Sequence, residues 1–282
     1  MTSSPLAPDL YCVMGNPVAH SRSPAIHARF AELTGEHIAY ERRLVPMDGF
    51  AQGVRDFAAQ GGRGCNVTVP FKTDAPGLAA TCSERVQLAG AANTLTFGPD
   101  GGIHADNTDG LGLVADITRN AGVFLAGRDV LLVGAGGAAA GVLGPLLRAG
   151  ARHVTVANRT LAKAQALVQS HSALASLQKS ELLALIPQAL DANFDVIINA
   201  TASSLAGAEV PVPAHVLRPG CLAYDMMYGP AAQGFLDWAR RHGAVPRDGL
   251  GMLVEQAAEA FLLWRGVRPP SAQVLAELQS AL

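Results

Sequence analysis

The sequence contains few cysteines, few lysines and almost no net charge. The cysteine pattern and the charge exclude several classes of function. Its four cysteines are scattered without a CxxC pair, so we expect neither a disulfide framework nor a zinc site. Free thiols favour a reducing compartment, and we expect a cytoplasmic protein. The 21 basic and 23 acidic residues form no basic run that would favour nucleic-acid binding. The eight histidines show no metal-ligand spacing, so the sequence predicts no metal.

The chain also lacks a clear segment for targeting or membrane insertion. Its first residues, MTSSPLAPDLY, have neither the charged region nor the apolar stretch of a signal peptide. Residues 130–147, VLLVGAGGAAAGVLGPLL, carry no charge and approach the shortest length of a membrane span, but they include five glycines and a proline. A strand, a turn and a helix fit that run better, so we expect no membrane association.

Hydrophobic residues make up 49% of the 282-residue chain, which is typical of a globular protein with room for two modest domains. Strand-like runs alternate with helical patterns and predict an α/β fold with largely parallel sheets. The predicted strands cover residues 10–15, 65–69, 129–134, 153–158, 195–201 and 221–227, with a hairpin around the turn at 99–102. The predicted helices cover residues 23–35, 110–122, 234–244 and 253–266. Domain boundaries are expected near Gly110 and Gly249.

A glycine-rich segment, Gly134-Ala135-Gly136-Gly137-Ala138-Ala139, follows a predicted strand, opens a predicted helix and matches the pattern GxGxxA. The first glycine allows a tight turn, and the second lets backbone N–H groups approach a pyrophosphate. The third position, here alanine, permits close packing of the helix on the strand. An ordinary strand–helix turn is the alternative. The surrounding strands and helix favour a Rossmann-like, doubly wound dinucleotide-binding domain.

The end of the next strand indicates which dinucleotide is bound. Sites that prefer NAD usually place an acid about 20 residues beyond the glycine-rich loop. The corresponding segment here has no acid and offers Asn158, Arg159, Thr160 and Lys163. These groups suit a ribose 2′-phosphate, so we expect NADP rather than NAD. A solvated helix start, with Thr160 as its cap and Arg159 exposed, is the alternative.

Two features of the first domain indicate a site for a small acid. Only three of the 21 basic residues are lysines, and Lys72 closely follows a Val-Thr-Val run. Unlike an arginine, a lysine can be tuned to release its proton, although a surface lysine at a strand end is the alternative. Ser21 and Ser23 precede a predicted helix, whose N-terminus suits a carboxylate. Ser23 followed by Pro24 equally fits a helix start with Ser23 as the N-cap.

Seven motifs occur in one order along the chain: GNPVAHSRSPAIH, NVTVPFK, GAANTL, DNTDG, GAGGAA, ANRTLAK and DGLGMLVEQAAEAF. Through these motifs, from about Tyr11 to Trp264, the chain resembles the NADP-dependent shikimate dehydrogenase family. The resemblance implies an N-terminal α/β substrate domain, 1–110, joined by the C-terminal helices 250–282, and an NADP-binding Rossmann domain, 111–249. It also implies reversible NADPH-dependent reduction of 3-dehydroshikimate to shikimate in aromatic amino-acid biosynthesis.

The resemblance further implies roles for individual residues of this sequence. The substrate would be bound by Ser21, Ser23, Thr68, Lys72, Asn93, Asp109, Tyr228 and Gln256, with the two serines and Tyr228 at its carboxylate. The cofactor would be bound by Gly134, Ala135, Gly136, Gly137, Ala138, Asn158, Arg159, Thr160, Lys163, Met226 and Gly249. Lys72 and Asp109 would form the catalytic pair. Spacing alone does not separate Asp106 from Asp109, and the resemblance selects Asp109.

Reduction of a ketone needs a hydride from the nicotinamide and a proton from the protein. We expect Lys72 to be the general acid in reduction and the general base in oxidation, with Asp109 orienting it and the substrate hydroxyl. A cofactor on one domain and a substrate on the other predict an active-site cleft between them. The chain departs from the family pattern at Ala92, at Lys163 and in residues 202–205, for which no role is assigned.

Two alternative functions stay open. A quinate/shikimate dehydrogenase with a broader substrate range or NAD use would share these motifs, since the sequence cannot size the pocket finely. A non-catalytic sensor of shikimate-pathway acids would be expected to lose Lys72 or Asp109, and both are present. The expected partner is a small-molecule substrate, and the sequence leaves a homodimer open.

Overall fold

The computed structural model describes residues 7–201 and 212–281. The chain forms two compact units, Met1–Thr108 with Gln256–Leu282, and Asp109–Glu255. The limits of the functional domains, 1–110 with 250–282 and 111–249, stay predictions. The helices are α1 (Ser23–Thr34), α2 (Phe50–Ala59), α3 (Glu84–Ala89), α4 (Asp109–Ala115), α5 (Gly137–Arg148), α6 (Leu161–Gln178), α7 (Gln233–Arg241), α8 (Leu250–Arg265) and α9 (Ser271–Ser280).

A six-stranded sheet forms the centre of the first unit. Its strands are β1 (Asp9–Gly15), β2 (Ile38–Leu44), β3 (Gly62–Val67), β4 (Thr81–Cys82), β5 (Thr94–Phe97) and β6 (Ile103–Asp106). They lie in the order β2-β1-β3-β5-β6-β4, with β1 parallel to β2 and β3. β5 is antiparallel to both β3 and β6, and β5 and β6 form the predicted hairpin. The sheet is therefore mixed rather than wholly parallel.

Aromatic side chains anchor the sheet of the first unit. Phe71, just after β3, is buried and stacks on Phe50 of α2 with ring centroids 4.8 Å apart. Trp264 of α8 donates its ring N–H to the Leu95 carbonyl of β5 (3.2 Å). A β-carbon added to Gly64 would lie 2.6 Å from both that carbonyl oxygen and the indole nitrogen. Glycine is thus required at this position for the end of α8 to pack on the sheet.

The second unit contains a six-stranded parallel sheet. Its strands are β7 (Asp129–Val133), β8 (His153–Ala157), β9 (Glu181–Leu185), β10 (Phe194–Asn199), β11 (Leu217–Asp225) and β12 (Val245–Arg247). They lie in the order β12-β11-β10-β7-β8-β9, which is the 3-2-1-4-5-6 order of the doubly wound dinucleotide-binding fold, counted from the other edge. The apolar run 130–147 forms β7 and α5 as predicted. Within the described ranges, no helix is long and apolar enough to span a bilayer.

Some elements differ from the sequence predictions. The predicted strand 65–69 ends at Val67, because the chain turns at Thr68, whose carbonyl accepts the Phe71 amide (3.1 Å). The predicted helix 110–122 divides into α4 and a π-helical turn, Asp116–Asn120. The sequence patterns also miss β2, β4, β9 and β12, which are the four edge strands of the two sheets. β2 and β12 contain charged residues and β4 has only two residues, so these three lack the continuous apolar run of a buried strand. β9 has such a run at residues 182–185, but an apolar run alone does not distinguish a strand from a helix.

Asp116, at the start of the π-helical turn, is fully buried and has several partners. Its carboxylate accepts hydrogen bonds from Arg247 Nε (2.7 Å) and Nη2 (2.6 Å) and from the Tyr224 hydroxyl (2.8 Å). Asn120 Nδ2 donates to the same carboxylate (2.9 Å). A β-carbon added to Gly251 would overlap its oxygens. This cluster joins the π-helical turn, β11, β12 and the start of α8 within the second unit.

Removal of the Asp116 carboxylate is expected to destabilise the second unit, because the Arg247 guanidinium would be left without its buried counter-charge. We expect Asp116→Ala to lower the free energy of unfolding by about 3–5 kcal/mol, measured by urea denaturation. Asp237→Ala is the matched control, since it breaks an exposed ion pair with Arg240 (2.7 Å) on α7. The control should lose well under about 1 kcal/mol. Equal losses in the two variants would contradict the structural role of Asp116.

Candidate functional site

Ser21 and Ser23 lie in the turn that leads from β1 into α1. The helix begins at Ser23 with Arg22 as its N-cap residue, so the alternative that assigned the N-cap to Ser23 is wrong. The Ser21 hydroxyl oxygen instead accepts the Ser23 amide N–H (3.3 Å). The Ser21 carbonyl accepts Arg42 Nε (2.9 Å) and Nη2 (2.6 Å), which fixes the turn from β2. Two serines are therefore held at the N-terminus of a helix.

Thr68 and Lys72 lie in the turn that follows β3. Thr68 donates its amide to the Met14 carbonyl of β1 (2.9 Å). Lys72 is part of a single 3₁₀ turn, and its carbonyl accepts the Ala92 amide (2.8 Å). Its side chain is half-buried. The alternative of a surface lysine at a strand end stays open.

Buried hydrogen bonds surround the side-chain amide of Asn93. Its Oδ1 accepts the Thr94 hydroxyl (2.8 Å), the Thr108 amide (2.8 Å) and the Thr108 hydroxyl (3.2 Å). Its Nδ2 donates to Thr108 Oγ1 (3.0 Å) and to Gln256 Oε1 (3.2 Å). Asn66 Nδ2 donates to the Asn93 carbonyl and to the Thr94 hydroxyl, each at 3.1 Å. The five side chains are buried, so their partners determine which way each amide faces.

Asp106, one of the two carboxylates that spacing left equal, has several hydrogen-bond partners. Asp106 Oδ1 accepts the Ser83 hydroxyl (2.7 Å), the Asn107 amide (2.6 Å) and Arg85 Nε (3.0 Å). Its Oδ2 accepts Arg85 Nη2 (2.6 Å). These hydrogen bonds connect the start of α3 to Asp106 at the end of β6. Asp109 is buried at the first residue of α4 and belongs to the second unit.

The glycine-rich loop lies at the carboxyl end of β7, where the strand order of the second sheet reverses. Gly134 has a φ of +114°, and a β-carbon there would come within 3.1 Å of the Ala200 carbonyl oxygen, so the fold itself requires glycine. Gly136 differs, because its φ of −93° and ψ of −172° suit any residue. No described atom lies within 4 Å of a β-carbon added to Gly136. The remaining loop residues, which are half-buried, are Ala135, Gly137 and Ala138.

The open space beside Gly136 adjoins the N-terminus of α5. This 12-residue helix has no capping side chain and no acid in its first turn. The amides of a helix N-terminus attract anions, and an acid there would repel them. A glycine that neither backbone conformation nor packing requires is explained when a ligand approaches the backbone at that point. The loop therefore fits a pyrophosphate.

Asn158, Arg159 and Thr160 connect β8 to α6, beside the glycine-rich loop. Thr160 is the N-cap residue of α6, but its hydroxyl makes no capping hydrogen bond. Asn158 Nδ2 donates to the Thr160 carbonyl (2.9 Å) and so holds the turn. Arg159, Thr160 and Lys163 are exposed, and the first turn of α6 contains no acid. Two cations and a hydroxyl are thus available for a phosphate.

Met226, Tyr228 and Gly249 follow β11 and β12 at the same carboxyl edge of the second sheet. The Met226 amide donates to the Asn199 carbonyl of β10 (3.0 Å), and the Gly249 amide donates to the Met227 carbonyl (2.9 Å). A β-carbon added to Gly249 would overlap the Met226 carbonyl, so the fold alone accounts for this glycine. Tyr228 is half-buried in the loop after β11.

The structure thus brings the predicted cofactor residues of the second unit to one edge of its sheet. In the first unit it joins Asn93 to Gln256 and Ser21 to Ser23 by hydrogen bonds. Residues 202–205 lie outside the described residues. Where the chain is described, no cluster of histidine, cysteine and acidic side chains could hold a metal. A dinucleotide loop on one unit and buried amides suited to hydroxyl groups on the other define a dinucleotide-dependent enzyme of small hydroxylated substrates.

Comparison with known proteins identifies the family. Three family models match: the shikimate dehydrogenase substrate binding domain over residues 13–95, shikimate/quinate 5-dehydrogenase over 117–209, and the shikimate 5′-dehydrogenase C-terminal domain over 249–279. A protein of Verminephrobacter eiseniae named shikimate dehydrogenase (NADP(+)) is 82% identical over 97% of this chain and 95% of its own. This chain belongs to the shikimate dehydrogenase family.

Two solved structures share the fold. An Ael1 enzyme from Pseudomonas putida is 46% identical, with a TM-score of 0.88 over 96% of this chain and 98% of that one. A shikimate dehydrogenase from Thermus thermophilus, solved with NADP(H) and shikimate, is 31% identical, with a TM-score of 0.84 over 97% of this chain and all (100%) of that one. The predicted fold class, two α/β domains of which the second is Rossmann-like, is confirmed.

Sequence reasoning missed the polar residues that connect the predicted ligands, namely Tyr40, Asn66, Thr94 and Thr108. Asn66 and Thr94 face each other across β3 and β5. The signal that could have found them is a polar residue inside an otherwise apolar strand. A buried asparagine needs partners, and CNVTV contains one.

A Gly136→Val variant tests whether the open space at α5 is reserved for a ligand. Because an added β-carbon would meet no described atom within 4 Å and the backbone conformation suits any residue, the melting temperature should change by about 2 °C or less. The affinity for NADP should fall by roughly tenfold or more, since the side chain would occupy the path of the pyrophosphate. Isothermal titration calorimetry measures the second effect. An unchanged NADP affinity would contradict the assignment of the loop.

Proposed function

We propose that this chain catalyses the reversible NADPH-dependent reduction of 3-dehydroshikimate to shikimate, a step of aromatic amino-acid biosynthesis. The observation that carries the proposal is the 82% identity to a protein named shikimate dehydrogenase (NADP(+)), which extends over both units of the chain. The amide cluster of the first unit and the nucleotide loop of the second unit both lie within that match.

For the substrate, we assign its carboxylate to Ser21 and Ser23, because two hydroxyls at the N-terminus of α1 supply donors for an anion. Asn93 and Gln256 would bind ring hydroxyls, since a carboxamide can both donate to and accept from a hydroxyl group. A ring hydroxyl at Asn93 would replace one of the two contacts of its Nδ2, to Thr108 or to Gln256. Thr68 would contribute a further hydroxyl from the turn after β3.

The bound cofactor supplies the hydride, and this chain binds and orients it. The backbone amides of Gly134–Ala138 would hold the pyrophosphate, and the segment Asn158–Lys163 would hold the 2′-phosphate. The open space at Gly136 and the absence of an acid in the first turn of α6 support these roles. Met226 and Gly249 would lie beside the nicotinamide, and Tyr228 near the substrate carboxylate.

The proton for the ketone oxygen would come from Lys72. Its ammonium group would donate a proton from Nζ during reduction, and the neutral amine would take it back during oxidation. Asp109 would orient that amine and the substrate hydroxyl. The half-burial of Lys72 and the burial of Asp109 at the start of α4 support these roles.

Lys72→Ala is expected to lower kcat by roughly 10²–10⁴-fold with little change in KM for shikimate, because it removes the proton carrier. Lys72→Arg should lose similar activity although it keeps the charge, since a guanidinium does not release its proton. Steady-state kinetics with Lys179→Ala, an exposed lysine at the end of α6, provides the control. Near-normal kcat in the two Lys72 variants would reject the role.

Arg159→Asp tests the preference for NADP. The substitution would place a carboxylate near the 2′-phosphate, and we expect KM for NADP⁺ to rise by roughly tenfold or more. KM for NAD⁺ should change far less, because NAD⁺ carries only a hydroxyl at that position. Kinetics with both cofactors in the same variant make NAD⁺ an internal control, and equal changes for the two cofactors would refute the assignment.

A quinate/shikimate dehydrogenase and a non-catalytic sensor are the alternative functions. The family model that matches residues 117–209 is described as shikimate/quinate 5-dehydrogenase. Because this description names both substrates, it is the observation that favours the first alternative. Rates with shikimate and quinate, each with NADP⁺ and NAD⁺, separate the possibilities through the absorbance of reduced nicotinamide. Turnover of shikimate with NADP⁺ well above the other three combinations supports the proposed function. Absence of turnover in every combination favours the sensor.

Cytoplasmic location and assembly are part of the same proposal. All four cysteines are free thiols in the structure, and three of them are buried, which supports a reducing compartment. A homodimer would be tested by sedimentation analysis of the purified protein.

A further inference from the structure

The ring of Tyr40, on β2, packs against a buried histidine. It stacks on His27 of α1 with centroids 4.2 Å apart and an interplanar angle of 5°. His27 is fully buried, and neither ring nitrogen has a hydrogen-bond partner among the described residues. Burial lowers the pKa of His27 to about 3, although the nearby Asn66 amide acts in the opposite direction. The imidazole is therefore neutral and provides a flat support for the Tyr40 ring.

The Tyr40 hydroxyl begins a chain of hydrogen bonds with a fixed direction. It donates to Asn66 Oδ1 (2.7 Å). Asn66 cannot be reversed, because its Nδ2 faces the Asn93 carbonyl, which can only accept. Asn66 Nδ2 also donates to the Thr94 hydroxyl, which in turn donates to Asn93 Oδ1. Tyr40 must consequently be the donor, and it satisfies the one acceptor that the Asn66 amide turns toward β2.

The far end of this chain is the pair of amides proposed to bind the ring hydroxyls. Three donors converge on Asn93 Oδ1, so its Nδ2 turns toward Gln256 Oε1 (3.2 Å). The contact fixes which atom of the Gln256 amide faces Asn93. The order of donors and acceptors offered to a ring hydroxyl therefore depends on partners beyond these two amides.

Burial raises the pKa of Tyr40 well above its usual value, so its hydroxyl keeps the proton that it donates to Asn66.

We propose that Tyr40 is a positioning residue, which acts through Asn66 and Thr94 to orient the Asn93 and Gln256 amides for the ring hydroxyls of the substrate. The inference rests on the proposed function, since it assumes that these amides bind shikimate. Loss of the Tyr40 hydroxyl leaves Asn66 Oδ1 without its donor in a buried site, and the amides downstream become free to reorient. Substrate binding and the discrimination against quinate, which has an additional ring hydroxyl, would weaken.

Tyr40→Phe is the principal test, because it removes the hydroxyl and keeps the ring that stacks on His27. We expect KM for shikimate to rise roughly tenfold, with kcat and KM for NADP⁺ nearly unchanged. The ratio of kcat/KM for shikimate to that for quinate should fall. Tyr11→Phe is the matched control, since it removes a buried hydroxyl in the same unit whose partner is Arg265. Tyr11→Phe should leave KM for shikimate at the wild-type value.

A second pair of variants tests the chain of hydrogen bonds itself. Thr94→Val removes the hydroxyl between Asn66 and Asn93 at nearly constant volume and should reproduce the KM increase of Tyr40→Phe. Thr94→Ser keeps the hydroxyl and should lie closer to wild type. In the double variant of Tyr40→Phe and Thr94→Val, the KM increase should be smaller than the product of the single effects, because both substitutions interrupt one chain.

The wild-type protein, assayed in parallel, separates the two levels of failure. A wild type that does not turn over shikimate overturns the proposed function and this inference together. An active wild type with an unchanged KM in Tyr40→Phe overturns the inference alone. Equal KM increases in Tyr40→Phe and Tyr11→Phe would also overturn it, because the effect would then follow from losing any buried hydroxyl in the first unit.

Discussion

A buried side-chain amide is stable only when its donors and acceptors have partners, and Asn93 imposes this constraint on the first unit. Its Oδ1 collects three donors and its Nδ2 has two acceptors, all from side chains or backbone of Thr94, Thr108 and Gln256. The register of β3 and β5 sets Asn66 opposite Thr94, and the end of β6 leads into Thr108. Both arrangements place hydrogen-bond partners around the Asn93 amide. The result is a polar cluster with fixed orientations, which is what recognition of an alicyclic polyol requires.

The second unit depends on a different constraint, the close approach of backbone segments at the carboxyl edge of a parallel sheet. Gly134 and Gly249 are glycines because neighbouring carbonyl groups leave no room for a side chain. Gly136 has neither a special conformation nor a close neighbour, so its identity indicates a ligand rather than the fold. The distinction shows which of the conspicuous glycines in the sequence carry functional information. It also explains why the uncapped start of α5 faces open space.

Much of this architecture could be predicted from the sequence, since buried parallel strands appear as apolar runs and GxGxxA has a known structural context. The four edge strands were missed. β2 and β12 contain charged residues and β4 has only two residues, whereas the apolar run of β9 does not by itself distinguish a strand from a helix. The sequence left Ser23 open as the N-cap of α1, but hydrogen bonds to the helix start depend on the turn geometry that Arg42 fixes at Ser21. Spacing did not separate Asp106 from Asp109, and the contacts of Asp106 with Arg85 and Ser83 are visible only in the structure. Long-range partners of this kind leave no local pattern.

The central claim is that the first unit carries a preformed site for shikimate, built on the Asn93 amide cluster. A crystal structure of the protein with shikimate bound tests it most directly. The account predicts ring hydroxyls within hydrogen-bond distance of Asn93 and Gln256, the carboxylate at Ser21 and Ser23, and an Asn93 amide that still accepts the Thr108 N–H. Shikimate bound elsewhere, or an Asn93 amide turned away from Thr108, would contradict the claim.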